Sequence, residues 1–128
     1  MNAPAQNSGL RGSWVSLLLI LLLVLGGNQA WTWWRDQHAA NLVKQHATAG
    51  SITMFTTSSC PYCARARAWL KQNEIDWLEC NVDTSLSCKG QFDAQGAPGV
   101  PLMLVNGHWH LGFDPAWLAQ ALQQPARP

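Results

Sequence analysis

The sequence predicts an α/β domain in which helices flank a mixed four-stranded sheet, preceded by one N-terminal transmembrane helix. Two observations carry this prediction. After residue 50 the elements follow the order β-α-β-α-β-β-α, and a parallel crossover followed by a hairpin builds a mixed sheet with helices on its faces. Before residue 35 a Leu-rich run carries almost no charge, whereas charged residues are common after it.

The length and charge of the chain limit what it can be. With 128 residues there is room for one small domain and an appendage. The formal net charge is +1, which gives no electrostatic argument for nucleic-acid binding. We therefore expect no nucleic-acid partner.

The N-terminal segment is predicted to be a tail followed by a membrane anchor. Residues 1–13 are polar and contain Gly, Pro and Asn, which favours a disordered tail. The Leu-rich core ends near Gly27 and is shorter than the about 20 residues that a membrane span needs. Residues 14–34 reach that length and have Trp at both ends, as interfacial belts do. They predict an uncleaved single-span anchor through which the chain binds the membrane.

Two alternatives to an anchor remain open. The first alternative is a cleaved signal peptide. Its pattern is matched by Arg11, the Leu run and Ala30, but Asn28 stands where a small residue is expected. A buried core helix is less favoured, because the run is apolar on every face. Arg35 and Lys44 after the span nearly balance Arg11, so the positive-inside rule does not set the orientation. A short tail before one span favours an extracytoplasmic (periplasmic) domain, with a cytoplasmic domain as the alternative.

Residues 35–50 are predicted to form a linker or stalk between the anchor and the domain. The segment is polar, and it can continue the helix to a point near Gly50. Its His38 and His46 stand eight residues apart, and we expect both to be solvated rather than to bind metal.

The predicted domain covers residues 51–124, and its first two elements lead to a pair of cysteines. Residues 51–57 are β-branched and apolar, which is typical of a strand. Pro61 follows in a first helical turn, where its missing N–H costs nothing. Residues 64–72 are strong helix formers and continue that helix.

The remaining elements are each marked by a local signal of alternation, capping or turn formation. They are a strand over residues 76–82, a helix capped by Thr84 and ended by Gly96, a strand over residues 101–105, an Asn106-Gly107 turn, a strand over residues 108–111, and a helix begun by Asp114-Pro115 and stopped by Pro125.

Cys60-Pro61-Tyr62-Cys63 places a dithiol at a strand-to-helix junction. Cys60 lies nearest the helix N-terminus, where unpaired N–H groups favour a thiolate. We therefore predict that Cys60 is the attacking thiolate and Cys63 the resolving thiol. Arg65 either adds positive potential or is a solvated helix residue. A permanent disulfide or half a zinc site is the alternative, but a second knuckle is missing, so no metal is expected.

Cys80 and Cys88 allow three interpretations from the sequence, of which a second redox relay is the least favoured. As core residues they would act as small hydrophobes. As a disulfide they would tie a strand to the next helix and imply an oxidising compartment. His108 and His110 share one strand face and are predicted to be surface or sheet residues rather than ligands.

Three local sequences occur in order along the domain: Cys60-Pro61-Tyr62-Cys63, Gly99-Val100-Pro101 before a strand, and Gly112-Phe113-Asp114 before the last helix. With the order of elements, they resemble the glutaredoxin family of the thioredoxin fold from Ser51 to about Gln123. The resemblance implies a thiol-disulfide oxidoreductase that acts on protein disulfides or glutathione mixed disulfides.

The resemblance also implies roles for residues around the dithiol. Pro101 would be cis and pack against the dithiol, with Val100 presenting backbone groups to a substrate. Substrate binding is further assigned by the resemblance to Tyr62, Gly112, Phe113 and Asp114. For Tyr62 the alternative is an exposed aromatic side chain without a role. No cofactor would be tightly bound, and glutathione would be a co-substrate.

Three positions depart from the family pattern and concern glutathione. Thr57 stands where a basic residue is usual, Gly99 replaces a Thr, and Leu111 replaces one Gly of a pair. The turn after Leu111 also resembles redoxins that serve ribonucleotide reductase, so the electron donor is either glutathione or a protein of the thioredoxin-reductase type. A tethered peptide-binding module without turnover is the alternative function.

Overall fold

The computed structural model describes residues 9–127, and the chain divides at Arg35 into two units. Within the described residues the elements are α1 (Gly9–His46), β1 (Ile52–Thr56), α2 (Pro61–Gln72), β2 (Leu78–Asn81), α3 (Leu86–Gln95), β3 (Leu102–Val105), β4 (His108–Leu111) and α4 (Pro115–Leu122). The predicted mixed four-stranded sheet with flanking helices is confirmed.

The N-terminal unit is the first part of α1, whose apolar side chains from Trp14 to Trp34 are exposed. By length and composition α1 is one candidate membrane span, and a signal sequence has the same property. Part of the predicted 1–13 tail lies outside the described residues, but α1 already includes residues 9–13. Because these residues contain no proline, the helix can extend into them.

Part of the segment that was predicted as a stalk belongs to the core of the C-terminal unit. α1 continues to His46, and Ala39, Ala40 and Val43 on its last turns are buried. These residues share one helix face by their spacing, and Val43 packs in the cluster that contains Ile52. The segment therefore packs on the domain instead of standing in solvent.

An ion pair adds to this attachment. Lys44 on α1 donates a hydrogen bond to Glu74, which follows α2. This bond and the attraction of the ammonium lower the pKa of Glu74 from its ordinary 4.5. A carboxyl group with a lowered folded-state pKa stabilises the fold above its ordinary pKa. That contribution is lost as the pH falls through the lowered value.

The sheet has the order β2-β1-β3-β4. β1 pairs parallel with β2 and antiparallel with β3, and β3 pairs antiparallel with β4. Alternation turns Ile52, Met54, Met103 and Val105 to one face, where they join the core cluster. Residues of α2 and α4 complete this cluster, so both helices pack on the same face of the sheet.

A polar cluster closes one edge of that core. Thr56 is fully buried, and its Oγ1 donates a hydrogen bond to Glu79 Oε1 at 2.9 Å. Arg67 Nε donates to the same oxygen at 2.8 Å. The buried hydroxyl is thereby satisfied, and α2 is joined to β2 by an ion pair.

The helix α3 differs from the prediction at its first residue and packs less tightly than α2 and α4. Ser85, not Thr84, is its cap, because Ser85 Oγ accepts a hydrogen bond from the N–H of Cys88, three residues later. Gly96 ends the helix with φ +60, as predicted. None of the residues of α3 is buried.

We predict that Val43→Ala lowers the free energy of unfolding of the domain by about 2 kcal/mol, because it removes two buried methyl groups and leaves a cavity. Denaturant unfolding of the full chain in detergent, followed by Trp fluorescence, measures this change. Asn41→Ala, at an exposed position of the same helix, is the matched control. Equal stability of Val43→Ala and Asn41→Ala would show that the segment does not pack on the domain.

Candidate functional site

The two cysteines of the Cys60–Cys63 pair occupy different environments at the start of α2. Cys60 is the N-cap, Pro61 follows in the first turn, and Cys60 Sγ accepts a hydrogen bond from Cys63 N at 3.0 Å. The pair forms a disulfide with Cα atoms 5.2 Å apart. Cys63 is fully buried, whereas Cys60 is partly exposed. The accessible sulfur is therefore the one that receives a backbone N–H, which favours its thiolate after reduction.

The loop from β1 to Cys60 is fixed by the loop that follows β2. Ser58 N donates a hydrogen bond to Asp83 Oδ2 at 2.7 Å. Asp83 is oriented in turn, because its own N–H donates to Asn81 Oδ1 at 2.9 Å. The position of Cys60 thus depends on two neighbouring strands and not on its own loop alone.

The segment before β3 approaches the dithiol from the other side. The Val100–Pro101 bond is cis, as the resemblance implies, and Val100 O lies 3.8 Å from Cys60 Sγ. Gly112 N donates to Pro101 O at 2.8 Å, and Gly112 has φ +88, a conformation that favours glycine. The turn before α4 is therefore hydrogen-bonded to the segment that ends in Pro101.

A cleft of about 520 Å³ opens beside the dithiol. It lies between the first turns of α2, the segment before β3 and the turn after β4. Its walls are formed by Tyr62, Arg65, Pro98, Gly99, Val100, Pro101, Leu111, Gly112 and Phe113. Most of these side chains are apolar, so the cleft is suited to an extended chain with hydrocarbon side chains near its cysteine.

The structure brings five of the six predicted substrate-binding residues to this cleft, with Asp114 as the exception. Asp114 instead caps α4, where its Oδ1 accepts hydrogen bonds from Ala116 N at 2.9 Å and Trp117 N at 3.3 Å. A carboxylate engaged by two helix N–H groups is turned toward its own helix. Phe113 is held edge-on against Trp69, with ring centroids 5.4 Å apart.

Four walls of the cleft were not predicted as substrate-binding residues from the sequence: Arg65, Pro98, Gly99 and Leu111. Pro98 had a weak signal, since it precedes the Gly99-Val100-Pro101 segment directly. In the sequence Leu111 is only a departure from a family pattern. In the structure it lies at the end of β4, where it is 48% exposed and lines the cleft.

The second pair of cysteines, Cys80 and Cys88, is bridged in the structure. The bond joins β2 to α3 across a sequence separation of 8, with Cα atoms 5.4 Å apart. The structure thus contains a disulfide between these cysteines and does not leave them as two separate core thiols. Because α3 buries none of its residues, this covalent link replaces much of the packing that would otherwise hold the helix.

The two histidines of β4, which were predicted to be surface or sheet residues, contact residues from α4 onwards. The His110 ring stacks on Trp117 with centroids 4.4 Å apart, and His108 Nε2 lies 3.5 Å from Pro125 O. Within residues 9–127, no group of three or more His, Cys, Asp or Glu side chains is placed to hold a metal ion.

Comparison with known proteins gives the following similarities. Residues 52–110 match the family model Glutaredoxin. An uncharacterized glutaredoxin-like 8.6 kDa protein in a rubredoxin operon of Clostridium pasteurianum is 24% identical over 74 residues, 57% of this chain and 99% of that protein. The global transcriptional regulator Spx 2 of Bacillus anthracis is 45% identical over 31 residues, 24% of each chain. The structure of the glutaredoxin-like protein NrdH-redoxin from Escherichia coli is 24% identical, covering 59% of this chain and 97% of that one with a TM-score of 0.49.

We predict that the double variant Cys80→Ser, Cys88→Ser lowers the free energy of unfolding by about 2–3 kcal/mol, the value expected for a short closed loop. Denaturant unfolding without reductant measures it. Both proteins are compared in a Cys60→Ser, Cys63→Ser background, so that only one disulfide differs. If adding reductant leaves the protein with Cys80 and Cys88 as stable as before, the link contributes nothing to the fold.

Proposed function

We propose that the chain is a thiol-disulfide oxidoreductase, on the basis of the match between residues 52–110 and the family model Glutaredoxin. Its substrates would be disulfides of proteins or glutathione mixed disulfides. The observation that supports this most directly is the hydrogen bond from Cys63 N to the partly exposed Cys60 sulfur at the start of α2. An accessible thiolate beside a buried second thiol is the arrangement that disulfide exchange requires.

The proposed reaction has two exchange steps. In the reduced protein the Cys60 thiolate attacks one sulfur of the substrate disulfide, forming a mixed disulfide and releasing one substrate thiolate. Cys63 then loses its proton and attacks Cys60 Sγ, which breaks the mixed disulfide and releases the second substrate thiolate. The protein ends with the Cys60–Cys63 disulfide, and the substrate has gained two electrons and, after protonation, two protons.

We propose that the cleft positions the substrate during the first step. Tyr62 and Phe113 would contact its side chains, while Val100, Pro101 and Gly112 would bring backbone groups near it. Val100 O already lies 3.8 Å from Cys60 Sγ, which supports this role. Asp114 would act indirectly by holding the turn that carries Phe113.

No tightly bound cofactor is needed for this reaction, because the dithiol itself stores the electron pair. Regeneration of the dithiol would require an external thiol. We propose glutathione or a protein of the thioredoxin-reductase type as that donor, and their relative rates with the oxidised chain would distinguish them.

We further propose that α1 anchors the chain in a membrane and that the domain faces an oxidising, extracytoplasmic compartment. The length and composition of α1 support the first part. The Cys80–Cys88 disulfide supports the second, because stable disulfides persist mainly in oxidising compartments.

We predict that Cys60→Ser abolishes reduction of a peptide disulfide, because no accessible thiolate remains. Cys63→Ser should instead accumulate the mixed disulfide with the substrate, since the resolving thiol is gone. Mass spectrometry of acid-quenched reactions detects both results, and Cys80→Ser, Cys88→Ser is the control that should keep exchange. Full turnover by Cys60→Ser would exclude the proposed nucleophile. A wild-type protein that binds the peptide without exchange would instead favour the binding module.

The proposed oxidising compartment predicts that Cys80 and Cys88 are bridged in the cells from which the protein comes. Acid-quenched alkylation of the Cys60→Ser, Cys63→Ser variant in those cells tests this. An oxidising compartment maintains such a bond, whereas cytosolic thiols reduce it. The shift in mass after alkylation, before and after reduction, measures the state of the pair. Two alkylated cysteines before reduction would place the domain in a reducing compartment.

A further inference from the structure

We propose that Arg65 determines substrate choice by binding a carboxylate of the substrate, and that the preferred substrate is a protein segment with an acidic residue next to its disulfide. The proposal rests on the proposed function, because it concerns the cleft beside Cys60. The proposal adds a specificity residue that belongs neither to the dithiol nor to the segment that ends in Pro101.

The position of Arg65 is set by its contact with Tyr62. The guanidinium carbon lies 5.7 Å from the centroid of the Tyr62 ring, at cation–π distance. Both side chains line the cleft. The charged group is therefore held along the cleft wall, where an incoming chain would meet it.

The charge of Arg65 has no acidic partner among the residues that the structure describes. The ion pairs found there use Lys44, Arg67 and Lys89. Arg65 is also the single charged side chain among the nine that line the cleft. Arg65 is solvent-exposed, so a carboxylate bound there gains about what an exposed ion pair gains.

The chemistry of the cleft favours a protein segment over glutathione. Glutathione carries two carboxylates and an ammonium group, but the cleft offers one charged side chain. The apolar walls, which include Pro98, Leu111 and Phe113, match hydrocarbon side chains of a protein segment. The net charge of +1 gives little overall attraction for acidic molecules, so selection must come from this local group.

The test uses the prereduced full-length chain in detergent and measures its single-turnover oxidation by two peptide disulfides. Both are homodisulfides of capped peptides, one with Glu and one with Gln beside the cysteine. We expect the Glu peptide to react about threefold to fivefold faster, the size expected for one exposed ion pair. Added salt should reduce this ratio.

Variants of two basic residues of α2 assign the ratio to Arg65. Arg65→Gln should bring the Glu-to-Gln rate ratio to about 1, and Arg65→Glu should make the Gln peptide the faster substrate, since like charges repel. Lys71→Gln is the matched control, because it removes the same charge at an exposed position of α2 outside the cleft. It should keep the wild-type ratio.

Three outcomes would overturn the proposal in different ways. Equal rates for both peptides with the wild-type chain would remove the role of Arg65 but leave the oxidoreductase intact. No oxidation by either peptide or by an uncharged small disulfide would remove the proposed function as well. If glutathione disulfide reacts faster than the Glu peptide and loses more rate in Arg65→Gln, the carboxylate recognised is that of glutathione, not of a protein segment.

Discussion

The site depends on the place where α2 begins. Pro61 lacks an N–H and fits the first helical turn, so the helix starts immediately after Cys60. The N–H of Cys63 then has no backbone partner in its own helix and binds Cys60 Sγ instead. A start one residue earlier or later would turn this N–H away from the sulfur. The chemistry of the pair therefore follows from a helix boundary, and the contact of Ser58 with Asp83 keeps that boundary in place.

The sheet brings the other half of the site to the same point. β1 ends just before the loop to Cys60, and β3 runs antiparallel beside it with Phe55 opposite Leu102. This register places Pro101, the residue before β3, at the end of β1. The hairpin to β4 then returns the chain so that Gly112 can donate to Pro101 O. Three segments that are distant in sequence form one cleft because two antiparallel pairings align their ends.

The two faces of the sheet are stabilised in different ways. On one face α2, α4 and the end of α1 pack around Met54 and Met103, both fully buried. On the other face Phe55 is fully buried beside Trp109, with ring centroids 5.3 Å apart. On the same side Leu78 of β2 remains 57% exposed, and α3 buries no residue. A domain this small gains limited stability from its core alone, and a disulfide is a common addition. The Cys80–Cys88 bond supplies it at α3, the helix that buries no residue.

Local interactions allowed much of the fold and the dithiol to be predicted from the sequence. The sequence signals behind these predictions act within a few residues, so they can be recognised without a structure. They are the alternation of apolar residues in strands, Pro61 and Asp114 at the starts of helices, and the spacing of Cys60 and Cys63. Tertiary structure alone decided that Val43 packs in the core and that Asp114 turns to its helix instead of the cleft. It also decided which residues form the walls beside Arg65. These features depend on which strands pair and in which register, and that choice is made by contacts between segments far apart in the chain.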